Sequence, residues 1–215
     1  VAFWVSLVIG APLSGHFNPA ISLAKAFMGQ IRPSACLAYI LSQFAAGWGG
    51  ALLAWAFLNG DYENVYYNDD PDKISGEPLF HFGEFWSIEM VFSTMIILTF
   101  LITNDKHYPE PESSPEIRNL MVASVMYLGL TATITGPRAT GYFNPAIGLP
   151  ANIVGWIVNK DHDVFKSLII YILAPFTGSV IASGIFGFIW KPVMIVERER
   201  RVEGSINQSV NDTFQ

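Results

Sequence analysis

Long apolar stretches separated by polar connections dominate this chain of 215 residues. Four of them, at 34–58, 84–103, 118–136 and 164–190, are long enough to cross a bilayer, because a helix of about 20 residues spans the hydrocarbon layer of roughly 30 Å. The chain also opens inside a fifth apolar stretch, at 1–11. The pattern predicts an all-α membrane protein with several spans.

Two further apolar pieces, at 19–27 and 145–157, are too short to cross a bilayer. At about 1.5 Å per residue, a helix of about ten residues covers only half of the layer. Each piece begins with an Asn-Pro pair, in which Asn is a favoured helix N-cap and Pro suits the first helical turn. We therefore expect two re-entrant half-helices, which are typical of a pore or a binding site.

The two short pieces belong to an internal duplication. Residues 15–23 match residues 141–149 at seven of nine positions, and the Tyr-Ile-Leu run at 39–41 recurs at 171–173. Three predicted spans lie between the two copies, so the second copy enters from the opposite face of the membrane. The sequence therefore predicts inverted repeats.

The duplication divides the chain into four parts. We expect a first repeat at 1–58, incomplete at its N-terminal end, an acidic extracytoplasmic connection at 59–83, a second repeat at 84–190 and a cytoplasmic tail at 191–215. This orientation puts eight of the 12 Lys and Arg residues in the cytoplasm, as the positive-inside rule requires. The tail from Glu197 onwards is polar, and we expect it to be disordered.

Composition supports a membrane protein and excludes other classes. Hydrophobic residues make up 51% of the chain and charged residues only 14%, whereas soluble domains are about a quarter charged. No Lys/Arg stripe interleaved with aromatic residues follows the chain, so we expect no nucleic-acid partner. Cys36 is the single cysteine, which excludes an internal disulfide, and its spacing to other residues does not indicate a metal site.

The twin Asn-Pro-Ala-Ile motifs, each preceded by Gly-x-Phe, resemble those of the major intrinsic protein family, the aquaporins and aquaglyceroporins. The resemblance runs from Val1 to about Lys191 and includes His16, two residues before the first Asn, and Glu89 in the stretch 84–103. It implies a right-handed helical bundle of inverted repeats with two re-entrant half-helices. Five of the six family spans are represented.

The family span without a counterpart in this sequence is the first. It would carry a Glu equivalent to Glu89, which the resemblance implies supports the loop of the first motif. We expect the intact polypeptide to have a further span before Val1. Intact-mass measurement or N-terminal sequencing tests this, and a genuine start at Val1 without such a span would oppose it.

The resemblance implies that the two Asn-Pro-Ala triplets form the central constriction of a pore. The triplets are Asn18, Pro19, Ala20, Asn144, Pro145 and Ala146. Each Asn can cap its half-helix through the side-chain oxygen while its amide nitrogen donates into the pore. Two half-helix N-termini, each with about half a positive charge, would then oppose cations and protons at the midplane.

Two polar residues accompany the motifs. Glu89 lies in the middle of a predicted span, where an ionisable residue indicates a functional role. The resemblance implies that Glu89 accepts hydrogen bonds from the backbone of the second motif's loop, and a proton relay is the alternative. His16 either packs beside the first loop or gates the pore in response to pH, and we favour packing.

The outer filter departs from the family pattern. Ile147 stands three residues after the second Asn, where the family usually has an Arg that narrows the pore and repels cations. The resemblance puts the other readable filter positions near Ala132 and near Gly141, so we expect a small, apolar lining. Arg138 could swing in to replace the charge, but a surface salt bridge or headgroup contact is the simpler interpretation.

The leading hypothesis is a passive channel, without catalysis or cofactor, for water or a small uncharged solute such as glycerol, urea or ammonia. The alternative is a degenerate structural or accessory subunit of a larger membrane assembly, because this sequence lacks both the filter Arg and the first span. An ion channel created by loss of the Arg ranks last, since the half-helix barrier remains. The resemblance implies a homotetramer in contact with membrane lipid.

Overall fold

The computed structural model describes residues 2–10, 15–57, 82–105, 114–134, 141–159 and 164–213. Within these ranges the chain forms α-helices and no strand, which confirms the predicted all-α class. The helices are α1 (Ala2–Gly10), α2 (Pro19–Phe27), α3 (Pro33–Phe57), α4 (Phe82–Thr103), α5 (Pro115–Ile134), α6 (Pro145–Asn159), α7 (Val164–Ile185) and α8 (Lys191–Thr213), with a π-helical turn, Phe186–Trp190, joining the last two.

Three helical segments of the described residues are long and apolar enough to cross a membrane: α3, α4 and the continuous helix Leu168–Ser209. α5 has 20 residues, a length of about 30 Å. Helices α3, α4, α5 and α7 each begin within three residues of the start of a predicted span. The apolar stretches of the sequence therefore mark the long helices of the bundle.

The two half-helices begin where the Asn-Pro pairs predict. α2 has the predicted bounds, and α6 extends two residues beyond its predicted end and keeps Pro150 inside it. One long helix of each repeat packs against the half-helix of the other, since α3 contacts α6 and α7 contacts α2. A buried cluster that includes Leu7, Ile21, Ile97 and Phe143 joins both repeats.

The tail differs from the sequence prediction. Disorder is predicted from Glu197 onwards, but the helix of α7 continues through the π-helical turn into α8 and ends at Thr213. Starting a helix is the costly step, and α7 supplies turns that are already formed. α8 is polar on average, but it also has apolar residues at helical spacing, including Ile195 and Val202. The prediction of a disordered tail is wrong for this reason.

Helices α4 and α7 approach each other closely at Gly178. A Cβ atom at this position would lie 2.9 Å from the carbonyl oxygen of Met90 and 3.0 Å from the backbone nitrogen of Thr94. These neighbours are backbone atoms, which cannot rotate away as a side chain can. The small residue at Gly178 therefore sets the distance between the two helices.

We expect Gly178→Ala to destabilise the protein by about 1–3 kcal/mol, because the added methyl group pushes α4 and α7 apart. Gly184→Ala is the matched control in the same helix, since a Cβ there meets no atom within 4 Å. It should be neutral or slightly stabilising through helix propensity. Thermal unfolding in detergent, followed by circular dichroism, measures both, and equal melting temperatures would contradict the packing argument.

Candidate functional site

Each motif turns from a short loop into its half-helix at the asparagine. The side-chain Oδ1 of Asn18 accepts the N–H of Ala20 at 2.9 Å, and Oδ1 of Asn144 accepts the N–H of Ala146 at 3.1 Å. The intervening proline has no N–H to satisfy. Both asparagines are therefore N-caps, as the Asn-Pro pairs predict.

The same two asparagines join the motifs to each other. Nδ2 of Asn18 donates to the carbonyl oxygen of Phe143 at 2.8 Å, and Nδ2 of Asn144 donates to the carbonyl oxygen of Phe17 at 2.8 Å. We call this reciprocal pair the asparagine clasp. It sets the N-termini of α2 and α6 against each other. An amide carries two N–H groups, so the second one on each asparagine can serve another acceptor.

The clasp carbonyls belong to residues with a left-handed backbone. Phe17 has φ 53° and Phe143 has φ 54°, a region that costs a non-glycine residue roughly 1–2 kcal/mol. Glycines make room for the rings, since a Cβ at Gly15 would lie 2.6 Å from the Phe17 ring and one at Gly141 would lie 2.2 Å from the Phe143 ring. The Gly-x-Phe part of each motif therefore positions the carbonyl of the clasp.

Glu89 of α4 supports the second loop through hydrogen bonds to its backbone. The residue is only 1% exposed. Its Oε1 accepts the N–H of Tyr142, and its Oε2 accepts the N–H of Phe143 at 2.9 Å. These are backbone contacts of the kind that the resemblance implies. Because both carboxylate oxygens are engaged with consecutive N–H groups, Glu89 fixes the loop directly before Asn144.

His16 of the first repeat is enclosed by packing contacts. Its ring stacks on Tyr39 with 4.4 Å between centroids and meets the edge of Phe100 at 6.1 Å. Nδ1 lies 3.1 Å from Oγ of Ser22, which also accepts a hydrogen bond from Nε2 of Gln43 at 3.1 Å. This polar chain ties α2 to α3, an arrangement that favours the packing interpretation of His16.

A cavity of about 450 Å³ opens beside the clasp. Its wall is mostly apolar and consists of small α3 residues, including Gly50, together with Phe17, Asn144 and Ile147. The Ile147 side chain is 44% exposed. The cavity therefore combines one motif asparagine with an apolar wall that could contact the carbon skeleton of a solute.

The structure brings only part of the predicted outer filter to this cavity. Ile147 lines it, whereas Gly141 is buried beneath the Phe143 ring and Ala132 is exposed on α5 outside the lining. Gly141 is covered because the aromatic residue of its own motif folds back over it. Arg138 lies outside the described residues.

Sequence reasoning missed the contacts through which α3 packs against α6 and α7 packs against α2. A Cβ at Gly47 of α3 would lie 1.8 Å from the carbonyl oxygen of Ala146, so α3 touches the motif backbone there. The duplicated position is Ser179 of α7, whose Oγ donates to the carbonyl oxygen of Ala20 at 2.9 Å. The small residue at Gly47 was a signal for close packing, but its partner could not be identified from the sequence.

Inverted helical repeats, joined through two half-helices that meet at their N-termini, define a class of polytopic integral membrane protein. The family model described as major intrinsic protein matches residues 1–186. The chain belongs to that family.

Individual relatives are distant. Aquaporin-1 of Canis lupus familiaris is 27% identical over 86% of this chain, which spans 62% of that protein's length. The probable glycerol uptake facilitator protein of Mycoplasma genitalium is 28% identical over 84% of this chain and 72% of its own length. The X-ray structure of the aquaglyceroporin from Plasmodium falciparum matches with a TM-score of 0.68 at 17% identity, over 90% of this chain and 80% of that one.

We expect Glu89→Gln to destabilise the protein by about 1–3 kcal/mol, because its amide nitrogen cannot accept a hydrogen bond and leaves one loop N–H unsatisfied in a buried site. Glu84→Gln is the control, as Glu84 is exposed in the first turn of the same helix. Thermal unfolding in detergent measures both variants. An unchanged stability for Glu89→Gln would contradict the scaffold role and favour the proton relay.

Proposed function

We propose that this protein is a passive channel for water or small uncharged solutes, with no catalytic activity. The asparagine clasp carries the proposal, because it sets two half-helix N-termini against each other beside an open cavity. Each terminus has about half a positive charge, so cations and protons meet a barrier between them.

Neutral solutes escape this barrier for a simple energetic reason. An ion that leaves water loses several kcal/mol of hydration, by the order of magnitude seen for buried charges. A neutral molecule exchanges one set of hydrogen bonds for another, with a net change of about 1 kcal/mol per bond. The second N–H groups of Asn18 and Asn144 are the donors that we propose for such exchange.

The apolar wall around Ile147 favours solutes that have a carbon skeleton. The residue at this position is Ile147 and not an Arg, whose guanidinium would narrow the passage. The names of the relatives refer both to water and to carbon-containing solutes. They include aquaporin-1, a probable glycerol uptake facilitator protein and the propanediol uptake facilitator PduF of Salmonella typhimurium. We therefore include glycerol, and small solutes such as urea and ammonia, beside water in the proposed substrate class.

The arrangement in the membrane is part of the proposal. The count of Lys and Arg residues supports a cytoplasmic tail at 191–215 and an extracytoplasmic connection at 59–83. We propose that Ala132 and Gly141 flank the outer end of the path near Ile147. We also propose four copies in the assembly, each with its own path, in analogy with the family.

Stopped-flow swelling of proteoliposomes under water and glycerol gradients tests the channel. We expect permeability well above that of bare lipid, and we expect Ile147→Arg to lower the glycerol rate several-fold more than the water rate, because the guanidinium narrows the wall. Ile157→Arg is the control, since Ile157 is an exposed residue of the same helix and does not line the cavity.

Two results would count against this function. Permeability equal to that of bare lipid for both solutes would overturn it and favour the accessory-subunit alternative, which co-purification with a stoichiometric partner would then support. Currents in planar bilayers would favour the ion channel instead. If Ile147→Arg and Ile157→Arg behave alike, the channel stands but Ile147 does not select its solute.

A further inference from the structure

Helix α8 extends beyond the bundle. It continues α7 through the π-helical turn, and within the described part of the chain its main contacts are with that turn. Its 23 residues give a length of about 35 Å. An isolated helix of this size gains little stability from its own backbone hydrogen bonds. Because α8 packs mainly at its N-terminal end in the described part of the chain, a partner would stabilise the rest of the helix.

The exposed face of α8 has the spacing of a coiled-coil seam. Ile195, Glu199, Val202 and Ile206 follow one another at intervals of four, three and four residues, which is the alternation of d and a positions in a heptad. The three apolar members are 38%, 50% and 54% exposed in chain order. This face is available to another helix.

The charges of α8 identify the kind of partner. From Lys191 to Thr213 the helix holds four basic residues and four acidic residues, so its net charge is zero. An anionic lipid surface attracts helices with an excess of Lys and Arg, which α8 lacks. A strongly acidic or basic macromolecule is disfavoured for the same reason. A neutral helix with interspersed charges can approach a second copy of itself without net charge repulsion.

The positions of two charges fit a parallel pair. With Ile195 at d, Arg198 occupies position g and Glu203 occupies position e five residues later, and g-to-e′ is the charge pair that forms between parallel coiled-coil helices. Arg201 instead lies 3.5 Å from Glu197 of its own helix, on the outer face. Copies that insert into one membrane in the same orientation present their α8 helices in parallel.

We propose that α8 pairs in parallel with α8 of a second copy of this chain, through the seam Ile195 to Ile206 and the flanking Arg198–Glu203′ contacts. The seam is short, but confinement to one membrane raises the effective concentration of the partner helix. Glu199, a polar residue within the seam, fixes the register and lowers the stability of the pair. The inference needs a common orientation in the membrane and does not depend on conduction.

Disulfide cross-linking of the full-length protein in membranes of the expressing cells tests the seam. We expect Val202→Cys to give a covalent dimer on mild oxidation, and Arg200→Cys, which faces away at position b, to give several-fold less. The unmodified protein is the background control, because its single cysteine, Cys36, is buried. Both substituted side chains are exposed, so the bundle is not disturbed.

Charge reversal then tests the partner. In the Val202→Cys protein, Arg198→Glu should lower the dimer yield several-fold, and the further change Glu203→Arg should restore it by reversing the pair. Arg200→Glu, the same charge change on the outer face, should leave the yield unchanged. Equal yields at 200 and 202, no dimer at 202, or no recovery in the double reversal would each overturn the proposal. Swelling rates measured alongside show separately whether the channel conducts.

Discussion

The asparagine clasp is the interaction on which the rest of the site depends. Two half-helix N-termini repel each other, and left alone they would separate. The clasp opposes this with two hydrogen bonds, from Asn18 to Phe143 and from Asn144 to Phe17, while each asparagine still caps its own helix. Each asparagine side chain thus caps its own helix and also bonds to the loop of the other motif. This dual use explains the amide at this position, since an Asp carboxylate could cap the helix but could not donate, and a Ser or Thr hydroxyl has one O–H where the amide has two N–H groups.

Buried polar side chains support the two loops that present the clasp carbonyls. The second loop rests on the Glu89 carboxylate, which accepts two consecutive backbone N–H groups. Among the described residues of the first repeat, Ser22 contributes hydrogen bonds to His16, Gln43 and the carbonyl oxygen of Asn18. The geometry of the clasp is the same for both motifs.

Local signals in the sequence were sufficient for the long helices of the bundle, the two half-helices and their starts, but not for α8. Asn18 and Asn144 could be predicted as N-caps, because capping depends on neighbouring residues alone. The clasp could not, since its partners lie 125 and 127 positions apart. Spacing also could not show that the Phe143 ring covers Gly141, one of the predicted filter positions. The tail was judged on its polar composition, although the helix that precedes it decides its conformation.

The contacts of the two motif alanines have a thermodynamic consequence. The carbonyl of Ala20 receives a hydroxyl hydrogen bond from Ser179, whereas the carbonyl of Ala146 faces the bare backbone of Gly47. The surroundings of the two motif alanines thus differ in polarity, and in the channel that we propose such a difference would let a solute bind more tightly on one side of the clasp than on the other. Microscopic reversibility nevertheless forbids such a difference from driving net transport. Asymmetry of this kind can determine where a solute binds and at what concentration the flux saturates from each side. The concentration gradient alone determines the direction of net flow.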